Sequence, residues 1–403
     1  MQTRIIPQHL ENPAGIEADR ILRSCVHCGF CLSACPTYRL LGDEADSPRG
    51  RIYLVKQLLE GKPVGSRTRL HLDRCLTCLS CETACPSGVD YHSLISTGRL
   101  LVEQQARRPI FERWMRSLLR RILPYPDRVL ALLRPGQWLR PLLPTTLRRR
   151  IPDHLLAGEW PAPRHPRTML VLEGCVQAAA APRINAATAR VLDRLGISLI
   201  RAPDGGCCGA LSYHLNAHRE AERFMRRNID AWWPFIEKGC EAIVITASGC
   251  GVQVKDYGKL LGRDPDYAEK ATRVSNLARD ISEVLQQENL EALRQPLAGN
   301  LKLVFHSPCS LQHGQLLDGV TERLLRRLGY EPGFVPDRQI CCGSAGTYSL
   351  LQPVLSQQLL TDKLAALEQD QPEIIATANI GCLLHLQSQS KCRVLHWIEL
   401  LDP

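Results

Sequence analysis

Eight cysteines near the amino terminus fall into two runs of identical spacing. Cys25, Cys28, Cys31 and Cys35 stand directly before Pro36, and Cys75, Cys78, Cys81 and Cys85 directly before Pro86. Both runs read C-x2-C-x2-C-x3-C-P. Three thiolates two residues apart curl a short loop around one inorganic centre. The fourth, just ahead of a proline that turns the chain away, reaches the neighbouring centre. This is the ferredoxin-type pattern for a pair of [4Fe–4S] clusters. It predicts Cys25, Cys28, Cys31 and Cys85 on cluster 1, and Cys75, Cys78, Cys81 and Cys35 on cluster 2. Zinc also takes four thiolates, but zinc sites usually split their ligands into two C-x2-C pairs. The chemistry expected here is one-electron transfer.

A second cysteine set recurs in the carboxyl-terminal half. Cys175 is followed 32 residues later by Cys207-Cys208-Gly209 and then by Cys250; Cys309 is followed 32 residues later by Cys341-Cys342-Gly343 and then by Cys382. Leu-Gly precedes each double cysteine and Thr-Ala each last cysteine, so duplication is the natural account. Buried cysteines commonly act as small hydrophobes. That reading suits Cys240 and Cys392, which lie outside both copies, but not eight cysteines at matched intervals. A redox or metal role is expected for the repeated set.

These residues need elements to hold them. Each copy predicts a strand into its first cysteine (169–172; 301–305) and a helix (185–195; 320–328). An extended stretch then ends at Cys-Cys-Gly, and after a longer helix a strand (242–246; 373–377) stops just before the last cysteine. Alternating strands and helices imply parallel α/β packing, with cysteines gathered at strand carboxyl ends. The expected architecture is therefore mixed α+β and α/β. An N-terminal helical ferredoxin-like domain with two clusters spans residues 1–105. A basic amphipathic connector covers 106–165, and two cysteine-rich α/β domains cover 166–296 and 297–403.

In the connector, Phe111, Trp114, Met115, Leu118, Leu119 and Ile122 keep helical spacing against Arg113, Arg116, Arg120 and Arg121. Residues 107–150, ending in Arg148, Arg149 and Arg150, hold twelve arginines and only two acids. The segment's charge of +10 exceeds the chain's net +9, so the rest of the chain is close to neutral. It suits a packed linker, an acidic partner subunit or the headgroups of an anionic bilayer; no nucleic-acid module surrounds it. Arg49 and Arg51, between the cluster motifs, are candidates for tuning a cluster potential or meeting a partner, against the plainer reading of solvated or paired arginines.

Eighteen cysteines in a 403-residue chain without an apolar leader predict a reducing compartment, with thiols free for metal. The expected location is the cytoplasm, with peripheral contact at the cytoplasmic face of the inner membrane as the further option. No stretch approaches the ~20 apolar residues of a membrane helix. The chain carries no dinucleotide fingerprint, P-loop or nucleophile elbow, so nothing predicts that it oxidises a substrate unaided.

The two motif types in this order, with CVHCGFCLSACPTYRLLGDEADSPRGRIYLVKQ, HLDRCLTCLSCETACPSGV, NAATARVLDRLGIS, NIDAWWP, TASGCG, CCGSAGTYSL and TANIGC, resemble the iron–sulfur subunits of bacterial glycolate oxidase (glycolate dehydrogenase). The repeated half resembles the cysteine-rich "CCG" domain of heterodisulfide reductases. The resemblance implies a subunit that passes electrons through 4Fe–4S clusters to a quinone-type acceptor. Their source would be FAD in a catalytic partner, with a second flavoprotein-like subunit beside it; FAD belongs to the partners only. Related expectations are a lactate or glycerol-3-phosphate dehydrogenase subunit, or a heterodisulfide-reductase-like enzyme. The heterodisulfide reductase motif closes with C-x2-C, whereas Gln253 and His385 stand here, leaving four thiols per copy. One further cluster per copy, a cluster in one copy only, and redox-active thiols all remain open.

Overall fold

The computed structural model describes all residues except 145–147, 150, 154–155, 295–300 and 403, so Arg150 and the expected boundary at 296/297 lie outside the described residues. The chain divides into two compact units. The first holds Met1–Ser117, His214–Asn216 and Gln339–Lys363; the second holds Leu118–Tyr213, Ala217–Arg338 and Leu364–Pro403.

The first unit is helical. Helices Pro13–Ser24, Pro48–Leu59 and Tyr91–Gln105 pack Leu22, Ile52, Val55, Leu58, Leu94, Ile95 and Val102 into one core. Two of these helices cross closely: a Cβ on Gly98 would collide with Val55 Cγ2. Ser47-Pro48-Arg49-Gly50 reads locally as a turn, yet it opens a helix. The Ser47 hydroxyl accepts from Gly50 N, and Pro48 takes the first helical position, where no N–H is needed.

The second unit contains two parallel sheets, ordered β2-β1-β3-β4 and β5-β6-β7. β1 is Arg167–Val171, β2 Ile197–Arg201, β3 Ile243–Ile245 and β4 Ala278–Asp280. β5 is Leu303–His306, β6 Ile374–Thr377 and β7 Arg393–His396. The central strands carry buried apolar runs (169–171, 243–245 and 375–376), as sheets covered on both faces require. The copies differ at one strand. Where the first has β2, the second makes only an isolated bridge, Val304 to Gly333. Pro332 and Pro336 flank that glycine and cannot donate to a ladder, whereas Ile197–Arg201 contains no proline.

The carboxyl ends of β3 and β7 are tied by a buried histidine. His396 Nε2 donates to Thr246 O at 2.8 Å and Nδ1 accepts from Ile398 N at 3.3 Å, which fixes the neutral tautomer. Burial, opposed by the Thr246 bond, pushes His396 down to about 4. Between about 4 and its ordinary 6.5, only the unfolded chain takes the proton, so stability falls as pH drops through that window. The stability lost on replacing His396 by Asn should therefore shrink by about 2 kcal/mol between pH 7 and pH 5. Anaerobic urea unfolding of both proteins at the two pH values checks this; a pH-independent difference would contradict it.

Candidate metal centres

In the first unit the eight ferredoxin-type cysteines line two cavities. Cys25, Cys28, Cys31 and Cys85 line one, and Cys35, Cys75 and Cys78 line the other. Cys81 borders both. The sorting follows from the backbone. His27 and Gly29 in the first loop, and Thr77 and Leu79 in the second, have positive φ at matching positions. These left-handed residues turn the loop and aim N–H groups inward, as Thr77 N does at the Cys75 sulfur, 3.4 Å away. Pro36 opens helix Pro36–Leu41, which leads the chain away from Cys35 after its side chain has reached the second loop's cavity.

The donor sets fit iron–sulfur clusters. Five soft sulfur donors border the first cavity and four the second, with Cys81 common to both. Burial pushes Cys31 up to about 11 and Cys81 well above the usual thiol range, where neighbouring cysteine charges add to the effect. Such thiols ionise when a bound cation compensates the buried charge.

The two cavities differ in the charge built beside them. At the first, Arg49 is one-third exposed and doubly bonded to the half-exposed Glu44, so its charge is neutralised and screened. At the second, Arg51 is 1% exposed. Its Nη1 donates to Cys35 Sγ at 3.8 Å, Nη2 to Thr37 Oγ1 at 3.0 Å and Asp46 Oδ1 at 3.3 Å, and Nε to His71 O at 2.7 Å. Tyr91 Oη donates to the Cys75 sulfur at 3.6 Å. Burial alone would raise Cys75, but Arg51 and Arg99 bring it below the usual thiol value.

The cysteine-rich copy in the second unit assembles as the repeat predicts. Cys175 with Cys207, Cys207 with Cys208, and Cys208 with Cys250 are hydrogen-bonded neighbours. The first of these bonds, then burial, pushes Cys175 well above the thiol range. Asn228 fixes the vicinal pair: its Oδ1 accepts from Gly206 N, while its Nδ2 donates to Cys207 O and to Tyr257 Oη. Tyr257 Oη donates in turn to Cys208 O at 2.8 Å. Gly209 has φ +89°, and a Cβ there would lie 2.9 Å from Ala221 O. Gly343 repeats this with φ +88° and Ser356 O at 2.6 Å.

Of the second copy, Cys309 and Cys382 lie in the second unit, whereas Cys341 and Cys342 belong to the first. Within the first unit, Tyr348 Oη donates to Arg74 O at 3.1 Å. Burial and then the charges of Cys75 and Cys341 push this phenol up. In the second unit, a ring nitrogen of buried His306 lies within 4.8 Å of the Cys382 thiol. Sequence reasoning missed His306. The signal was available, since His306 precedes Cys309 by three residues where the first copy has the core residue Leu172.

Residues 21–89 match the family described as a 4Fe-4S dicluster domain, and residues 169–255 and 303–387 both match the family described as a cysteine-rich domain. Across 403 residues the chain is 54% identical to the glycolate oxidase iron-sulfur subunit of Escherichia coli K12, covering all of this chain and 98% of that one. The chain belongs to the glycolate oxidase iron–sulfur subunit family. A Bacillus subtilis protein named as a probable glycolate oxidase iron-sulfur subunit is 30% identical over 94% of the chain. Lactate utilization protein A of Bacillus licheniformis is 27% identical but aligns with only 54% of the chain. This glycolate oxidase family member contains, among its described residues, no helix long and apolar enough to cross a membrane.

The connector differs from its expected pattern. In helix Ile110–Ile122, Ile110, Phe111 and Trp114 are exposed, while Arg116 is largely covered. Asp73 explains Arg116: it lies largely covered against Arg108 and Arg116, and an unpaired carboxylate there would be costly.

Proposed function

We propose that this chain is the electron-carrying subunit of a glycolate-oxidising complex and contains no substrate-oxidising site of its own. The observation that carries the reading is the gathering of the eight motif cysteines around two adjacent cavities, with Cys81 bordering both, in a chain 54% identical over its full length to a glycolate oxidase iron-sulfur subunit. Cys25, Cys28, Cys31 and Cys85 hold one [4Fe–4S] cluster, and Cys75, Cys78, Cys81 and Cys35 the other. Such clusters take up and release electrons singly, which suits a flavin that collects two at once. An FAD-binding catalytic subunit and a second flavoprotein-like subunit are the partners, and a quinone-type compound is the acceptor.

The chain's own residues do the positioning. The loops fix the sulfurs, and Arg51 and Tyr91 donate toward those of the second cavity. The cysteines at 175, 207, 208, 250, 309, 341, 342 and 382 form the exit side. Residues 1–105, 106–165, 166–296 and 297–403 are its working divisions. Exposed Phe111, Trp114 and Trp138, set among arginines, suit peripheral contact with an anionic bilayer from the cytoplasmic side.

Anaerobic purification should give a brown protein with at least ~8 iron and ~8 sulfide per chain. The complex should oxidise glycolate in preference to either enantiomer of lactate. An iron-free chain that still supported turnover would refute the reading, and preference for lactate would reassign the substrate.

A further inference from the structure

Adding an electron to a cluster adds negative charge to a site already carrying four thiolates. In a buried cavity water cannot solvate that charge, so burial by itself holds the reduction potential down. A fixed cation beside the sulfurs acts the other way, and it acts strongly only where neither solvent nor a counter-charge cancels it.

The second cavity has such a cation. Arg51 keeps its charge at all working pH values and is almost fully buried. Its nearest acid, the fully buried Asp46, is shared: Arg74 Nη1 donates to Asp46 Oδ2 at 2.7 Å, and His71 Nδ1 lies 3.1 Å from Oδ1. Two guanidiniums against one carboxylate leave a positive balance facing Cys35 and Cys75. At the first cavity the corresponding arginine, Arg49, is matched one to one by Glu44 in solvent.

We propose that the Arg51–Asp46 pair sets the reduction potential of the second cluster, with Arg51 raising it and Asp46 limiting the rise. Arg51 is a positioning residue here: it holds no cluster iron and touches no substrate. The proposal rests on the reading that both cavities hold [4Fe–4S] clusters.

Redox titration followed by EPR on the purified chain tests it; the signal lost in Cys78→Ser identifies the second cluster. Arg51→Gln keeps polar contacts but removes the charge. At the wild-type midpoint its reduced-to-oxidised ratio should fall at least tenfold, about 59 mV for one electron, with the first cluster unmoved. Asp46→Asn should shift the second cluster the opposite way, and Arg51→Lys should stay near wild type. Packing damage alone would not give shifts of opposite sign.

Unmoved midpoints, shifts of the same sign, or loss of the second cluster from both Arg51→Gln and Asp46→Asn would overturn the proposal while leaving the cluster reading intact. A wild-type chain without iron or EPR signals would instead overturn that reading and the proposal with it.

Discussion

A complex assembled with a Cys78→Ser chain should reduce quinone no faster than a complex lacking this subunit, while glycolate still bleaches the flavin of the catalytic partner. Cys78 is one of four thiols bordering the second cavity, and serine offers in its place a hydroxyl that ionises far less readily than a thiol. A flavin that has accepted two electrons then finds no single-electron carrier on which to unload them. Cys28→Ser should give the same split at the first cavity, where Cys28 is the exposed ligand candidate. Stopped-flow bleaching of the flavin, set beside steady-state quinone reduction, separates the half-reactions. Retained quinone reduction in either variant would contradict the relay, and loss of flavin bleaching would place the cysteine in the oxidative half-site instead.

Gly209→Ala should destabilise the second unit by about 3 kcal/mol and disorder the Cys207–Cys208 pair. Two effects combine. At φ +89° an L side chain is strained, by roughly 1–2 kcal/mol. The new methyl would also sit 2.9 Å from Ala221 O, in helix His218–Glu237, whose buried Met225, Ile229 and Trp232 anchor it in the core. Gly196 isolates the first effect: its φ is +78° but nothing lies within 4 Å of its added Cβ. Gly196→Ala should therefore cost only about 1 kcal/mol. Urea midpoints of the two variants decide which effect dominates, and equal losses would show that the clash with Ala221 relaxes freely.

The glycine beside each vicinal pair illustrates how far the sequence could be read. Its recurrence at matched intervals is visible in the sequence, but that it lies against the backbone of Ala221 or Ser356 is a matter of packing. The strands and helices of the repeat were legible because their periodicity is local and strong. The failed counterpart of β2 was legible only in part: Pro332 and Pro336 were visible, yet that they prevent a ladder follows from the neighbour they face. His306 was overlooked although it stands three residues before Cys309, because the first copy has Leu172 there and offers no matching ligand, and only the fold brings it near Cys382.

By itself the sequence set the spacing of the sulfurs, and from that spacing came the grouping proposed for them. Two residues between successive cysteines and a proline after the fourth are constraints of a few bonds' reach, legible without the rest of the fold. The tertiary structure alone decided the surroundings of those sulfurs. Arg49 and Arg51 are two residues apart and chemically identical, yet one meets solvent and Glu44 while the other is sealed against Cys35. In helix Ile110–Ile122, Asp73 turned an arginine inward. A charge acts according to the dielectric around it and the counter-charges within a few ångströms, and both are set by residues distant in the chain.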